Sequence, residues 1–363
     1  MHIAFDPEIP YNALPPLPPA ADLETVPVLK AVTRASRALA ELKGRTGTLP
    51  NPAILINTIA LQEAKASSEI ENLFTTQDEL YRGLSLDDLL VSPHAKEVLH
   101  YNEALWLGAR RLAERPVFST NLFVEIVETI KNANIGIRCQ PGTKIAKEST
   151  GQTVYTPPEG EAVIRGMLAN LETFCNATDD DLDPLVKTAV LHYQFEAIHP
   201  FYDGNGRAGR ILLILYLLFQ GLLDKPILYL SRYLIEHKGD YYRLLRGITE
   251  RAEWEPWLLY VLRGVEQTAR QTSEKILAIS TLLDEFVERG KTEFSGRSSK
   301  ELVELLFVRP YCKIRFVEEA GIAKRVTASR YLHKLAEKDF VTSQKVGAEI
   351  LFINHRLLAL LTS

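Results

Sequence analysis

A histidine, an aspartate, an asparagine, two arginines and three glycines fall within the twelve residues HPFYDGNGRAGR, numbers 199–210. The imidazole of His199, with an ordinary pKa near ~6.5, is suited to take a proton from a hydroxyl nucleophile. Pro200 disfavours helical geometry in the residue before it, so His199 is expected in extended backbone at the head of a loop with its ring exposed. Gly204, Gly206 and Gly209 permit positive φ and close backbone approach, and their amides, leading into an apolar helix, make an anion-binding nest. Arg207 and Arg210, three apart, share one helix face and can hold phosphate oxygens by charge-assisted bonds, which implies more than one phosphate. Asp203 supplies an oxygen ligand for Mg2+, an ion that commonly binds through one or two carboxylates and the substrate's phosphates. A P-loop or Rossmann reading fails: the G-x-x-x-x-G-K-S/T pattern is missing and no strand is predicted before the glycines.

This stretch resembles the signature of the Fic family, His-Pro-Phe-x-Asp/Glu-Gly-Asn-Gly-Arg-x-x-Arg, at every defined position. The resemblance implies a protein adenylyltransferase, which moves AMP from ATP onto Ser, Thr or Tyr hydroxyls of proteins, itself included, and releases pyrophosphate. It implies His199 as the base, Asp203 as the Mg2+ ligand and Asn205 as a contact to the α-phosphate. Gly204, Gly206 and Gly209 would be the nest, Arg207 and Arg210 the grip on the outer phosphates, and Phe201 a buried anchor for the loop. Doc-type relatives carry Lys at the position of Gly206, so this chain sides with nucleotidyl transfer. Tyr241 and Tyr242, in DYYRLL, fall where the family has residues beside the nucleotide base. Upstream, SSEIEN resembles the family's inhibitory motif, with Ser67, Glu71 and Asn72 at its defined positions. Glu71 is expected to occupy the guanidinium fork of Arg210, so that ATP binds askew and basal activity is low. Two other functions stay open: removal of AMP from modified targets, and a DNA-binding regulator that uses the Fic core as an ATP sensor.

The elements that must position these residues read as mostly α. With 363 residues, two or three domains of roughly 100–200 residues are expected. A 46% hydrophobic and 24% charged composition belongs to globular proteins. MHIAFDPEIP has no basic region followed by an apolar one, so export is not expected. The strongest apolar run, ILLILYLLF at 211–219, is far short of the ~20 residues of a membrane span and reads as a buried core helix. Cys139, Cys175 and Cys312 lie far apart, without zinc or disulfide spacing, and a cytoplasmic location is expected.

Helical periodicity predicts helices over 28–42, 51–73, 95–112, 119–133, 161–174, 183–198, 233–248 and 254–290, with a β-hairpin within 136–161. By the resemblance that hairpin is the Fic flap, on which a target segment adds as a strand. Seven of the 19 prolines lie in the first 27 residues, in an arm expected to run extended and pack over its own domain. The formal charge is −4, yet residues 291–363 hold 13 Lys+Arg against 8 Asp+Glu. Three helical segments and a hairpin around Gly347 there resemble a winged helix-turn-helix, with Thr327 capping the third helix and Lys324, Arg325, Arg330 and Lys334 charging it. DNA and protein are both open partners for this tail, as is a homodimer for the chain. The expected domains are an inhibitory region at 1–112, a Fic core at 113–290 and a winged-helix tail at 291–363.

Overall fold

Two helices that are apolar on every side form the centre of the protein, because such a helix is stable only when covered all round. They are α8 (Pro184–Ile198) and α9 (Asn205–Phe219), with nearly every side chain buried, including all of Ile211 to Leu217. The computed structural model describes residues 5–47, 50–56, 58–85, 91–147, 150–293, 298–347 and 349–362.

Around this pair stand α1 (Val26–Thr46), α3 (Ile59–Ile70), α5 (Pro93–Glu114), α6 (Thr120–Lys131), α7 (Glu161–Asn176) and the long α12 (Trp254–Glu293). The short α2 (Ala53–Ile56) precedes α3, α4 (Gln77–Gly83) follows it, and α10 (Leu230–Glu236) and α11 (Lys238–Arg251) lead into α12. Helix starts follow local chemistry. Ser92 accepts from the Ala95 amide at 3.2 Å ahead of Pro93, and Ser119 from the Leu122 amide at 3.3 Å, as its hydroxyl suggested. The periodic stretch 51–73 is two helices and not one, with Thr58 as the cap of α3.

The proline-rich arm packs on its own chain: Leu14, Leu17 and Leu23 are buried, and Asn170 bonds both the amide and the carbonyl of Leu17. The flap is a two-stranded antiparallel hairpin of β1 (Ile145–Ala146) and β2 (Thr153–Tyr155). Tyr155 ties it down through a 2.7 Å bond to the Ala197 carbonyl of α8.

Helix α12 runs past residue 290 without interruption. Beyond it come α13 (Ser298–Val308), β3 (Tyr311–Cys312), α14 (Ile314–Glu319), α15 (Arg325–Glu337), β4 (Thr342–Val346), β5 (Glu349–Ile353) and α16 (His355–Thr362). The three strands form an antiparallel sheet in the order β3-β5-β4. The anticipated hairpin is present and so are the helices, with 233–248 divided between α10 and α11; α4, β3 and α16 were not anticipated, being short segments without a period of their own. Lys324, not Thr327, is the N-cap of α15, and Thr327 lies inside the helix. This tail docks on α4, the helix just after the SSEIEN segment. Tyr311 stacks on Tyr81 with ring centroids 5.6 Å apart and donates to Asp78 at 2.5 Å, while Arg82 donates to Gln344 at 3.2 Å.

Candidate active site

Helix α8 ends at His199, whose backbone is left-handed (φ 48°, ψ 60°) and not extended as expected. The cause is the way the last carbonyls of a helix, which have no intrahelical donor, find partners. Here the buried Arg138 supplies them: its Nε donates to the His199 carbonyl at 2.7 Å and its Nη2 to those of Ile198, at 3.2 Å, and Pro158. Its own amide donates to Pro200 at 3.0 Å. A left-handed residue then turns the chain out of the helix. The His199 ring is half-buried, not exposed, and its Nδ1 has no hydrogen-bond partner. Burial, with Arg138 nearby, pushes its pKa down to about 4, so the imidazole is neutral and able to accept a proton at neutral pH.

The loop 201–204 is held by two side chains. Phe201 is fully buried, as an anchor should be. Asn205 is buried as well, and both ends of its amide bond Phe201: Oδ1 accepts from the amide at 2.9 Å and Nδ2 donates to the carbonyl at 2.7 Å. Its side chain therefore closes the loop at the head of α9. Gly204 is left-handed (φ 88°) and caps α9, which begins at Asn205. Gly206 and Gly209 thus lie inside the helix, so the nest shrinks to the first turn of α9. Their lack of a side chain serves close approach instead: a Cβ on Gly206 would stand 2.4 Å from Glu71 Oε1, and one on Gly209 2.2 Å from Glu196 Oε1.

The arginines separate. Arg210 is buried; its Nε donates to Ser67 Oγ at 2.8 Å, and its Nη2 to the Ser67 carbonyl at 2.9 Å and to Glu71 Oε1 at 2.8 Å. Ser67 in the last turn of α3 and Glu71 at its C-cap therefore close on the guanidinium from one side, while Asn72, left-handed at φ 60°, turns the chain away. Burial pushes the Glu71 carboxyl up, but Arg210 outweighs it and holds the group below the usual carboxylate range. Arg207 reaches another helix, pairing with Glu97 of α5 at 2.6 Å. Asp203 is mostly exposed and pairs with Lys131 at 2.7 Å; burial raises its pKa, and the lysine more than reverses this. Among the described residues no three His, Cys, Asp or Glu side chains gather as a metal site.

A cavity of about 830 Å³ opens beside these groups, between the flap and α11, with Glu71, Glu196, Tyr155, Lys238, Tyr242 and Arg246 in its wall. Tyr242 is partly exposed there. Tyr241 is not: it is buried, and its hydroxyl meets His192 Nε2 at 2.9 Å, so it belongs to the core. Glu196 went unnoticed in the sequence, although it stands one helical turn before His199. Burial pushes its pKa up to about 7, and its Oε1 has no partner. Glu63 is the other unforeseen carboxylate, buried two turns before Glu71 on α3; it accepts from the Ser231 amide at 2.9 Å, from the Ser231 hydroxyl and from Tyr101 at 3.2 Å. The spacing 63, 67, 71 is the signal that could have exposed it. Nothing local marks Arg138, whose partners lie 20 to 61 residues away.

Three family models match the chain: Fic/DOC family N-terminal over residues 29–110, Fic/DOC family over 120–217, and the C-terminal domain of protein adenylyltransferase SoFic-like proteins over 282–357. The chain belongs to the Fic/DOC family. This Fic chain is 26% identical over 146 residues to protein adenylyltransferase fic-1 of Caenorhabditis elegans, a match covering 40% of the chain and 27% of the relative. It is 30% identical over 176 residues to a probable protein adenylyltransferase of Aquifex aeolicus, covering 47% of the chain and 51% of the relative. Matches to the curated Fic relatives thus span about a quarter to a half of their length. The Fic fold is shared with a Fic family protein from Desulfovibrio desulfuricans, at 18% identity, 91% coverage of this chain, 96% of that one and a TM-score of 0.58. Fic-1 from C. elegans gives 21% identity, 70% and 75% coverage and a TM-score of 0.53.

Proposed function

We propose that this chain is a protein adenylyltransferase, transferring AMP from ATP to a protein hydroxyl, and that Glu71 holds it in a low-activity state. The observation that carries the reading is Arg210, a buried cation at the start of α9 whose charge is matched by Glu71, a carboxylate at the rim of the cavity. A terminal phosphate of ATP is negatively charged and, like that carboxylate, can accept two hydrogen bonds from a guanidinium, so it would compete for Arg210.

In the transfer, the target oxygen forms a bond to the α-phosphorus, the bond to the bridging oxygen breaks, pyrophosphate leaves, and His199 takes the hydroxyl proton. The ring is a weak base as it stands; the negative charge of a bound polyphosphate favours its protonated form and raises its basicity. The first turn of α9 directs its free amides at the phosphates. Asp203 fits Mg2+, being an exposed carboxylate paired with Lys131 and Arg207, and would hold the ion against the substrate's phosphates, whose charge it would neutralise. A target segment would add to the flap by backbone pairing.

The test is incubation with α-labelled ATP and Mg2+, alone and with a cell extract, followed by mass spectrometry. Glu71→Gly should carry AMP on itself or on extract proteins, and His199→Ala should carry none. A Glu71→Gly protein that labels nothing would overturn the assignment.

A further inference from the structure

The C-terminal tail carries a face that the transfer reaction does not use. On α15, Ala328, Leu332 and Leu335 are fully buried, while Val326, Arg330 and His333 are exposed, with Ser329 partly so; this leaves one stripe looking outward. Val326 is 84% exposed, an apolar side chain standing in solvent. The helix start has no side-chain cap, so its first amides are available to an outside acceptor, and it is flanked by Lys324 and Arg325. The edge strand β4 lies beside it with Thr342, Ser343, Gln344 and Lys345 all exposed.

The charges on this face lack the carboxylate partners that most cations of the tail have. Elsewhere in the tail Lys300, Lys313, Arg315, Lys334, Lys338 and Arg356 each pair with a glutamate. Lys324, Arg325, Arg330 and Lys345 form no ion pair among the described residues. Three of these cations, an uncapped helix start and an exposed valine gather at α15, with Lys345 on the edge strand, in a molecule whose net charge is −4.

We propose that the α15–β4 face binds duplex DNA. The exposed stripe of a single helix fits the ~12 Å major groove, where Arg330 can bond base edges or phosphate and Val326 can touch a thymine methyl. Lys324, Arg325 and Lys345 would contact phosphates on either side, and the helix start adds amide contacts. An acidic protein would satisfy the cations as well, but the uncapped helix start flanked by Lys324 and Arg325 and the outward stripe of a single helix match a phosphate-lined groove.

The experiment is fluorescence anisotropy of a labelled duplex of mixed sequence with the full-length protein. Binding should fall roughly 100-fold between 50 and 200 mM salt, as expected when about four phosphates are contacted. Arg330→Ala and Lys345→Ala should each weaken it about tenfold, Val326→Glu should abolish it, and Arg37→Ala, an exposed cation on α1, should leave it unchanged. Equal melting temperatures would show the variants folded. Absence of binding at 50 mM salt overturns the proposal, as does binding that survives Val326→Glu. Competition by poly-glutamate as effective as by unlabelled duplex would assign the face to acidic proteins and overturn it likewise.

Discussion

Glu71 Oε1 lies 2.8 Å from Arg210 Nη2, and the same guanidinium is bonded through a second and third contact to Ser67, one helical turn earlier. The end of α3 is thus held to α9 by the cation that, in the proposed reaction, a nucleotide's phosphates would need. Stability and restraint come from one contact and should be lost together.

Glu71→Gly should therefore destabilise while it activates. Removing one partner of a buried pair costs about 3–5 kcal/mol, and the 37% exposure of the Glu71 side chain reduces this to the lower end or below. A melting temperature that drops by several degrees alongside at least a tenfold gain in AMP incorporation is the expected pattern. A gain in stability would show that the pair is not the restraint.

Asn205→Ala should act through the loop and not through nucleotide affinity. The Phe201 amide and carbonyl would lose their partners in a buried place, costing on the order of 3 kcal/mol. Urea denaturation should report the loss, and any activity lost should appear in kcat, with the KM for ATP little changed. A raised KM with unchanged stability would return Asn205 to phosphate binding.

Glu196 gives a pH signature. Its carboxyl titrates near 4.5 when unfolded and about 7 when folded, because of burial. Between these values the folded state keeps a proton that the unfolded state has lost, so the stability present at low pH is lost as pH rises through about 7. His199 and His192 have lowered pKa values and contribute in the opposite sense, losing stability as pH falls, but they are common to both proteins compared. Glu196→Gln should gain on the unmodified chain between pH 5 and 8 by on the order of 2 kcal/mol. An equal difference at both pH values in urea denaturation would contradict this.

Tyr311→Ala should free α4 from the tail. The ring is nearly fully buried against Tyr81, and loss of such an aromatic side chain costs about 3 kcal/mol or more. Hydrogen exchange should quicken in α4 before it does in α8 or α9. Unchanged protection of α4 would show that the tail is not what holds it.

Helices with strong periodicity, such as α5 and α6, were legible because their apolar spacing and serine caps are local. The grouping of His199, Asp203, Gly204 and Arg210 was legible because those residues are adjacent in the chain, and so was the Glu71–Arg210 contact, because charge and motif agreed. The bonds of Asn205 to Phe201 and the burial of Tyr241 against His192 were not legible, since what a polar side chain meets depends on what packs around it.

The chain's order alone determined which segments are helical and which chemistry-bearing residues are neighbours, since these follow from a spacing of 3.6 residues and from adjacency, while the pairing of Glu71 with Arg210 was implied by the resemblance and is made by the fold. Tertiary structure decided that His199 is left-handed and neutral, that Asn205 closes a loop, that Glu196 and Glu63 are buried, and that the tail grips α4. Those outcomes depend on desolvation and on partners tens to hundreds of residues away, and only the folded chain brings them within a few ångströms.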